Sequence, residues 1–238
     1  MILSKKELDD IATGIWEDYQ REVGAEIPVP FIEPLAKQYL GLDIVYFKLS
    51  DDGFFYGLTA YEDTQLVLSV GGRTAIYPIK RNQIVLDSQF RGKRIYSEGY
   101  GKRQFTLAHE VAHQILYGME PAHVKANFRK AYSAHIAPRP RELKTEEDWN
   151  EWQANVLGAA LLMPRMAVAQ FMAQRHKTSV MVCYGGFFNT IDRHILDAFC
   201  FQFTVSKSAA CIRLKELGYL IDRPYREFYD PLEVFPDE

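Results

Sequence analysis

Residues 105–113 read Phe-Thr-Leu-Ala-His-Glu-Val-Ala-His, and inside them His109-Glu110-Val111-Ala112-His113 has the form H-E-x-x-H. On an α-helix, positions i and i+4 share a face about one turn apart, so the two imidazoles can grip one metal ion. Glu110 follows the first histidine directly and projects beside that ion, where it can take a proton from water. These five residues therefore ask for three things: a helix, burial of that helix, and a further ligand from another part of the chain.

The surrounding sequence meets the first two. Residues 104–117 carry Phe105, Leu107, Ala108, Val111, Ala112, Ile115 and Leu116 at close to helical spacing, and Gly118 and Pro121 supply stop signals. Two histidines and a glutamate on an otherwise apolar helix are costly to bury without a partner, and a metal is the simplest one. A surface histidine pair on an ordinary helix is the bland alternative.

A catalytic zinc usually has three protein ligands and an open position for water. Glu151 is the best candidate for the third, because it leads directly into the apolar run Val156-Leu157-Gly158-Ala159-Ala160-Leu161-Leu162-Met163, which Pro164 ends. Asn155 shares its face at i+4. The preceding acids Glu146, Glu147 and Asp148 read as a solvated helix start that suits the macrodipole.

The stretch Phe-Thr-Leu-Ala-His-Glu-x-x-His, followed by Glu-x-x-Ala-Asn and then Leu-Leu-Met-Pro, resembles the ImmA/IrrE metallopeptidase family. The resemblance is firm over residues 100–165 and looser from about residue 28. It implies zinc held by His109, His113 and Glu151, with Glu110 as general base. It also implies an intracellular regulatory protease acting on a repressor-like transcription regulator, in mobile elements or stress responses. One departure is the spacing: Glu151 lies 38 residues after His113, so residues 119–148 form a long excursion.

Composition adds limits. The chain has 238 residues, long enough for one large domain with a substantial core. With 28 basic and 31 acidic residues the net charge is −3, which gives no general affinity for nucleic acid. No apolar run reaches the roughly 18 residues of a membrane helix. Met1-Ile2-Leu3-Ser4-Lys5-Lys6-Glu7 lacks the order of a secretory signal, so a cytoplasmic protein is expected. The three cysteines, Cys183, Cys200 and Cys211, have no metal-type spacing and read as reduced, buried small hydrophobes.

Along the chain, Ser4 and Glu7 form a capping box ahead of a helical stripe of Leu8, Ile11, Ala12, Ile15, Trp16, Tyr19 and Val23. Residues 24–30 read as a linker and 31–40 as a short helix. The period then shortens, and 42–49, 54–60, 65–70, 74–77 and 83–87 read as strands separated by Asp51-Asp52-Gly53, Glu62-Asp63 and Gly71-Gly72. This gives a small antiparallel sheet ahead of the motif helix, with 83–87 expected at the edge where an extended substrate would add as a strand. Residues 73–103 hold eight cations against Asp87 and Glu98, and within them 89–103 read as a mobile, basic loop bordering the site. His123, His135, His176 and His194 are isolated; His123, His135 or Tyr132 is a candidate to polarise the scissile carbonyl.

After Pro164, residues 165–175 and 191–199 read as helices, while 176–189 resist assignment. Ser206 can cap, and Gly218 can end, a helix over 207–217. Residues 191–218 resemble a helix-turn-helix unit whose DNA contacts would use Lys207, Ser208 and Arg213; packing of that unit on the core is the preferred reading. The expected fold is α+β and zincin-like (gluzincin type), with a metallopeptidase domain over 1–175 and a helical C-terminal extension over 176–238. The expected activity is zinc-dependent hydrolysis of a peptide bond in a repressor-like protein. The alternative is a non-proteolytic regulator on the same zinc fold that binds a repressor or DNA.

Overall fold

A computed structural model describes residues 2–24, 31–95, 97–121, 143, 145–175 and 180–232. The fold is α+β. Helix α1 (Lys5–Val23) opens with the capping box: Ser4 Oγ accepts from Glu7 N, and the Glu7 carboxylate accepts from Ser4 N. A short helix α2 (Ile32–Pro34) runs on as a π-helical turn (Leu35–Tyr39).

Five strands follow: β1 (Asp43–Phe47), β2 (Gly57–Thr59), β3 (Thr64–Val70), β4 (Arg73–Ile79) and β5 (Gln83–Asp87). They form two sheets. β3 and β4 make a hairpin across Gly71 and Gly72, both at positive φ (59° and 71°), as a two-residue turn matching strand twist requires. The other sheet has the order β1-β5-β2, with β1 parallel and β2 antiparallel to β5. The expected antiparallel sheet is therefore mixed. A tight hairpin would need only a few residues between β1 and β5, whereas the long connection from Lys48 to Asn82 is ample for a parallel return.

The expectation that 83–87 lies at the edge is overturned: β5 is central. Its run Ile84-Val85-Leu86 is buried on both faces. Ile84 and Leu86 enter the main core with the helices, and Val85 enters a second core with Leu58, Leu68 and Ile79 beneath the hairpin. A continuous apolar run is what a strand covered on both sides requires. The edge strand beside the motif helix is β2, and all three of its residues are buried.

Helix α3 (Tyr100–Met119) carries the motif, starting earlier and running slightly further than its apolar pattern indicated. Helix α4 (Glu146–Leu162) is capped by Thr145, whose hydroxyl accepts from Asp148 N, so Glu146, Glu147 and Asp148 are its first turn. Helix α5 (Arg165–Arg175) follows Pro164. The stretch that resisted assignment contains β6 (Met181–Tyr184), paired in parallel with β7 (Leu220–Arg223). Between them stand α6 (Thr190–Phe203) and α7 (Lys207–Glu216), joined through Thr204 in the left-handed region and bent by 102°.

This helix–turn–helix packs on the rest of the chain. Phe199 and Phe203 meet Phe171 of α5 at ring-centroid distances of 5.3 and 6.0 Å. Arg213, expected as a possible DNA contact, is 1% exposed; its guanidinium pairs with Asp9 of α1 and donates to the Met163 carbonyl at 3.1 Å. Lys207 is exposed and paired with Asp197. Among the described residues no single helix is long and apolar enough to cross a membrane.

Candidate metal centre

The site forms where α3 and α4 cross. Gly158 makes the crossing close: a Cβ at that position would stand 3.1 Å from the backbone of Ala108 and His109. Glu151 lies seven residues earlier, two turns along the same face, and so reaches the α3 histidines.

The three expected ligands converge. His109 Nε2 and His113 Nε2 stand 3.0 Å apart. Glu151 Oε2 is 3.3 Å from His109 Nε2, and Glu151 Oε1 is 3.3 Å from His113 Nε2. Among the described residues this is the one group of three metal-type side chains so gathered. His109 and His113 are buried, and the Glu151 side chain keeps 14% of its exposure.

The donors fit a divalent ion. Two ligands on a tetrahedral ion at about 2.0–2.1 Å stand roughly 3.3 Å apart, close to the spacings seen here. His109 Nδ1, both Glu110 oxygens and Glu151 Oε1 are buried without a hydrogen-bond partner among the described residues; the 3.3 Å approach of Glu151 Oε1 to His113 has the distance of an ion pair but not hydrogen-bond geometry. Two imidazole nitrogens facing each other beside two carboxylates leave lone pairs that a cation satisfies. The group can hold a metal ion.

Protonation points the same way. Burial pushes the Glu110 carboxyl well above its usual range, and the charge of Glu151 adds to this. Burial holds the His113 imidazole below its ordinary value, with His109 adding and Glu151 opposing. Burial acts to raise Glu151, but the close approach of His109 and His113 outweighs it and brings the carboxyl to about 2. Burial thus favours a neutral His113, which stands beside an ionised Glu151; these are the protonation states that bind a metal.

Glu110 is fully buried against β2. A Cβ at Gly57 would come within 3.2 Å of Glu110 Oε1 and 2.8 Å of Thr106 Cγ2. Four residues further along the same helix face, Gln114 Nε2 donates to Thr59 Oγ1 at 2.7 Å and to the Ala60 carbonyl at 2.9 Å. Four residues before Thr106, Lys102 Nζ lies 3.4 Å from the Tyr56 ring centroid.

Gly57, Thr106, Gln114 and Gly158 were not singled out from sequence. A signal existed for the glycines: an isolated glycine inside a helix or strand pattern has a packing reason more often than not. His123, Tyr132, His135 and His176 lie outside the described residues, and His194 is exposed on α6. Of the basic stretch, Arg91, Lys93, Arg94 and Lys102 are exposed, whereas Arg103 is buried and paired with Glu33. Burial raises the Cys200 thiol to about 12 and pushes the Cys211 thiol up as well, so neither is a ready thiolate ligand. No protein-family model matches the chain, and a search of curated proteins returns no match.

Proposed function

We propose that the chain is a zinc-dependent endopeptidase of the zincin type. The observation that carries this reading is the triangle of His109 Nε2, His113 Nε2 and a Glu151 carboxylate oxygen, with Glu110 buried beside it. Two imidazoles and one carboxylate are a catalytic zinc donor set, although manganese and other divalent ions use the same donors. When bound, zinc supplies a Lewis acid that polarises a peptide carbonyl and brings the pKa of water toward neutrality. His109 and His113 would hold the ion as neutral imidazoles, and Glu151 as a carboxylate. Glu110, whose ionised form a bound cation's charge would favour, would then take the proton from the attacking water and deliver it to the departing amine. Its burial keeps bulk water from competing for that proton.

The resemblance of residues 100–165 to the ImmA/IrrE family extends the reading to a cytoplasmic regulatory protease with a repressor-like protein as substrate. A protein substrate is preferred to DNA, because Arg213 is buried in an ion pair and Lys207 is neutralised by Asp197. The test combines metal analysis with two variants. Purified protein should hold about one zinc per chain, lost or weakened in Glu151→Ala. Glu110→Gln should keep the zinc and lose peptide cleavage. Cleavage at the wild-type rate by Glu110→Gln would remove Glu110 as the base; a chain that takes up no zinc would remove the enzyme altogether.

A further inference from the structure

We propose that Gly57 of β2 is a positioning residue for Glu110, and that Thr106 and Gln114 fix the strand in the register that makes this possible. The proposal rests on the peptidase reading and names parts of the same site that the metal-binding motif does not contain.

Glu110 presents an unusual problem. Its carboxylate is fully buried, yet neither oxygen has a hydrogen-bond partner among the described residues. A glutamate side chain has three rotatable bonds, and hydrogen bonds normally hold such a group in one orientation. No described protein group supplies one here, so what the protein itself contributes to the orientation is the packing around the side chain.

β2 supplies that packing. Thr106, Glu110 and Gln114 lie four residues apart and form one stripe on α3. The stripe meets β2 at successive residues: Thr106 and Glu110 at Gly57, and Gln114 at Thr59 and Ala60. Gln114 hydrogen-bonds the strand on one side of Glu110. On the other side Thr106 abuts it, its own rotamer fixed by an Oγ1 bond to the Lys102 carbonyl at 3.0 Å.

Between these two anchors the strand cannot slide, and glycine is the residue set against the carboxylate. A Cβ there would stand 3.2 Å from Glu110 Oε1, 3.3 Å from Glu110 Cγ and 2.8 Å from Thr106 Cγ2. The last distance is shorter than real methyl contacts, so an alanine would force Thr106, Glu110 or the strand to move. The backbone does not explain the glycine, because Gly57 is a strand residue outside the set at positive φ. The close approach to Thr106 and Glu110 does.

The test compares Gly57→Ala with Gly57→Ala/Thr106→Ser, because serine removes the Cγ2 methyl that makes the tightest contact and keeps the hydroxyl. Zinc affinity is measured by competition with a chromophoric chelator, turnover on a peptide substrate, and the Glu110 orientation in a crystal structure of each metal-free variant. Gly57→Ala should bind zinc within about threefold of wild type, since the three atoms nearest the added methyl belong to Thr106 and Glu110 and not to the proposed ligands. It should lose at least about tenfold in kcat, with KM little changed, because misplacing a proton-transfer group acts on the chemical step. Thr106→Ser in the same chain should restore most of that loss, and the crystal structures should show Glu110 displaced in the single variant and returned in the double. Full turnover by Gly57→Ala, or an undisplaced Glu110 carboxylate, would overturn the proposal. So would parallel loss of zinc and activity without rescue. A wild-type chain that binds zinc but cleaves no peptide would instead sink the peptidase reading, and the crystal structures would still decide whether Gly57 positions Glu110.

Discussion

Gly158→Ala tests whether the metal site depends on how closely two helices cross. The added methyl would sit 3.1 Å from Ala108 C, Ala108 O and His109 N. Ordinary carbon contacts begin at about 3.5 Å, so α3 and α4 must separate locally by roughly 0.3–0.5 Å. The obstructing atoms are backbone atoms in the middle of a 20-residue helix, so no side chain can turn aside to relieve the contact. Overpacking of this kind costs about 1–3 kcal/mol. Replacing an interior helical glycine with alanine returns about 1 kcal/mol. The metal-free protein should therefore lose roughly 0–2 kcal/mol, a modest change that folding measurements can resolve.

The larger effect falls on the metal. Glu151 rides on α4 and the two histidines on α3, with 3.3 Å between their ligand atoms. A shift of roughly 0.3–0.5 Å between the helices exceeds the ±0.2 Å or so that metal–ligand bonds tolerate. Zinc affinity should fall about 10- to 100-fold, the range typical of losing the support of a ligand. Competition with a chromophoric chelator measures this, alongside thermal melts with zinc and with excess chelator. Gly14→Ala is the control: Gly14 lies in α1 with nothing within 4 Å of its added methyl, so this variant should gain about 0.5–1 kcal/mol and leave zinc affinity unchanged. If Gly158→Ala behaves like Gly14→Ala, with a higher melting temperature and unaltered zinc affinity, the site does not depend on the close crossing.

Two further outcomes are expected. In chelator-treated protein, the raised Glu110 carboxyl contributes stability that is fully present below the ordinary value of 4.5 and lost as pH rises through its folded-state value. Glu110→Gln should remove that loss, leaving the variant more stable than wild type by on the order of 1–3 kcal/mol at about pH 8 but not at about pH 4; superimposable stability–pH curves from urea melts would contradict this. Arg213→Leu strands the Asp9 carboxylate and should cost about 3–5 kcal/mol, whereas Arg213→Leu/Asp9→Leu should recover most of the loss. A double variant no more stable than the single would show that the pair was not the cause.

The ligand-bearing parts of the site were legible because their chemistry is local. H-E-x-x-H fixes its own geometry once it is helical, and the apolar spacing around it announces the helix. Glu151 stood out as the acid nearest the apolar run of α4. What the sequence hid was pairwise. The central position of β5 depends on β1 returning to it in parallel, and on a hairpin covering the face that Val85 presents. Its unbroken apolar run was the available sign, but nearness to the motif in sequence pointed the other way. Arg213 looked like an exposed cation in a recognition helix because its partner Asp9 lies 204 residues away.

These distant contacts share a target. Trp16 Nε1 of α1 donates to the Leu161 carbonyl at 2.9 Å, Leu3 N donates to Gln153 Oε1 at 2.7 Å, and Arg213 of α7 donates to the Met163 carbonyl. All three grip α4 or its C-cap, the helix that carries Glu151, and Gly158 seats its remaining side against α3. The two histidines need no such help, because four residues of one helix already set their spacing. The third ligand comes from a separate helix after a gap of 38 residues, so its position depends on tertiary structure alone. The N-terminal helix and the C-terminal helix pair therefore bear on the proposed chemistry from outside the triangle. They hold the helix whose placement completes the triangle.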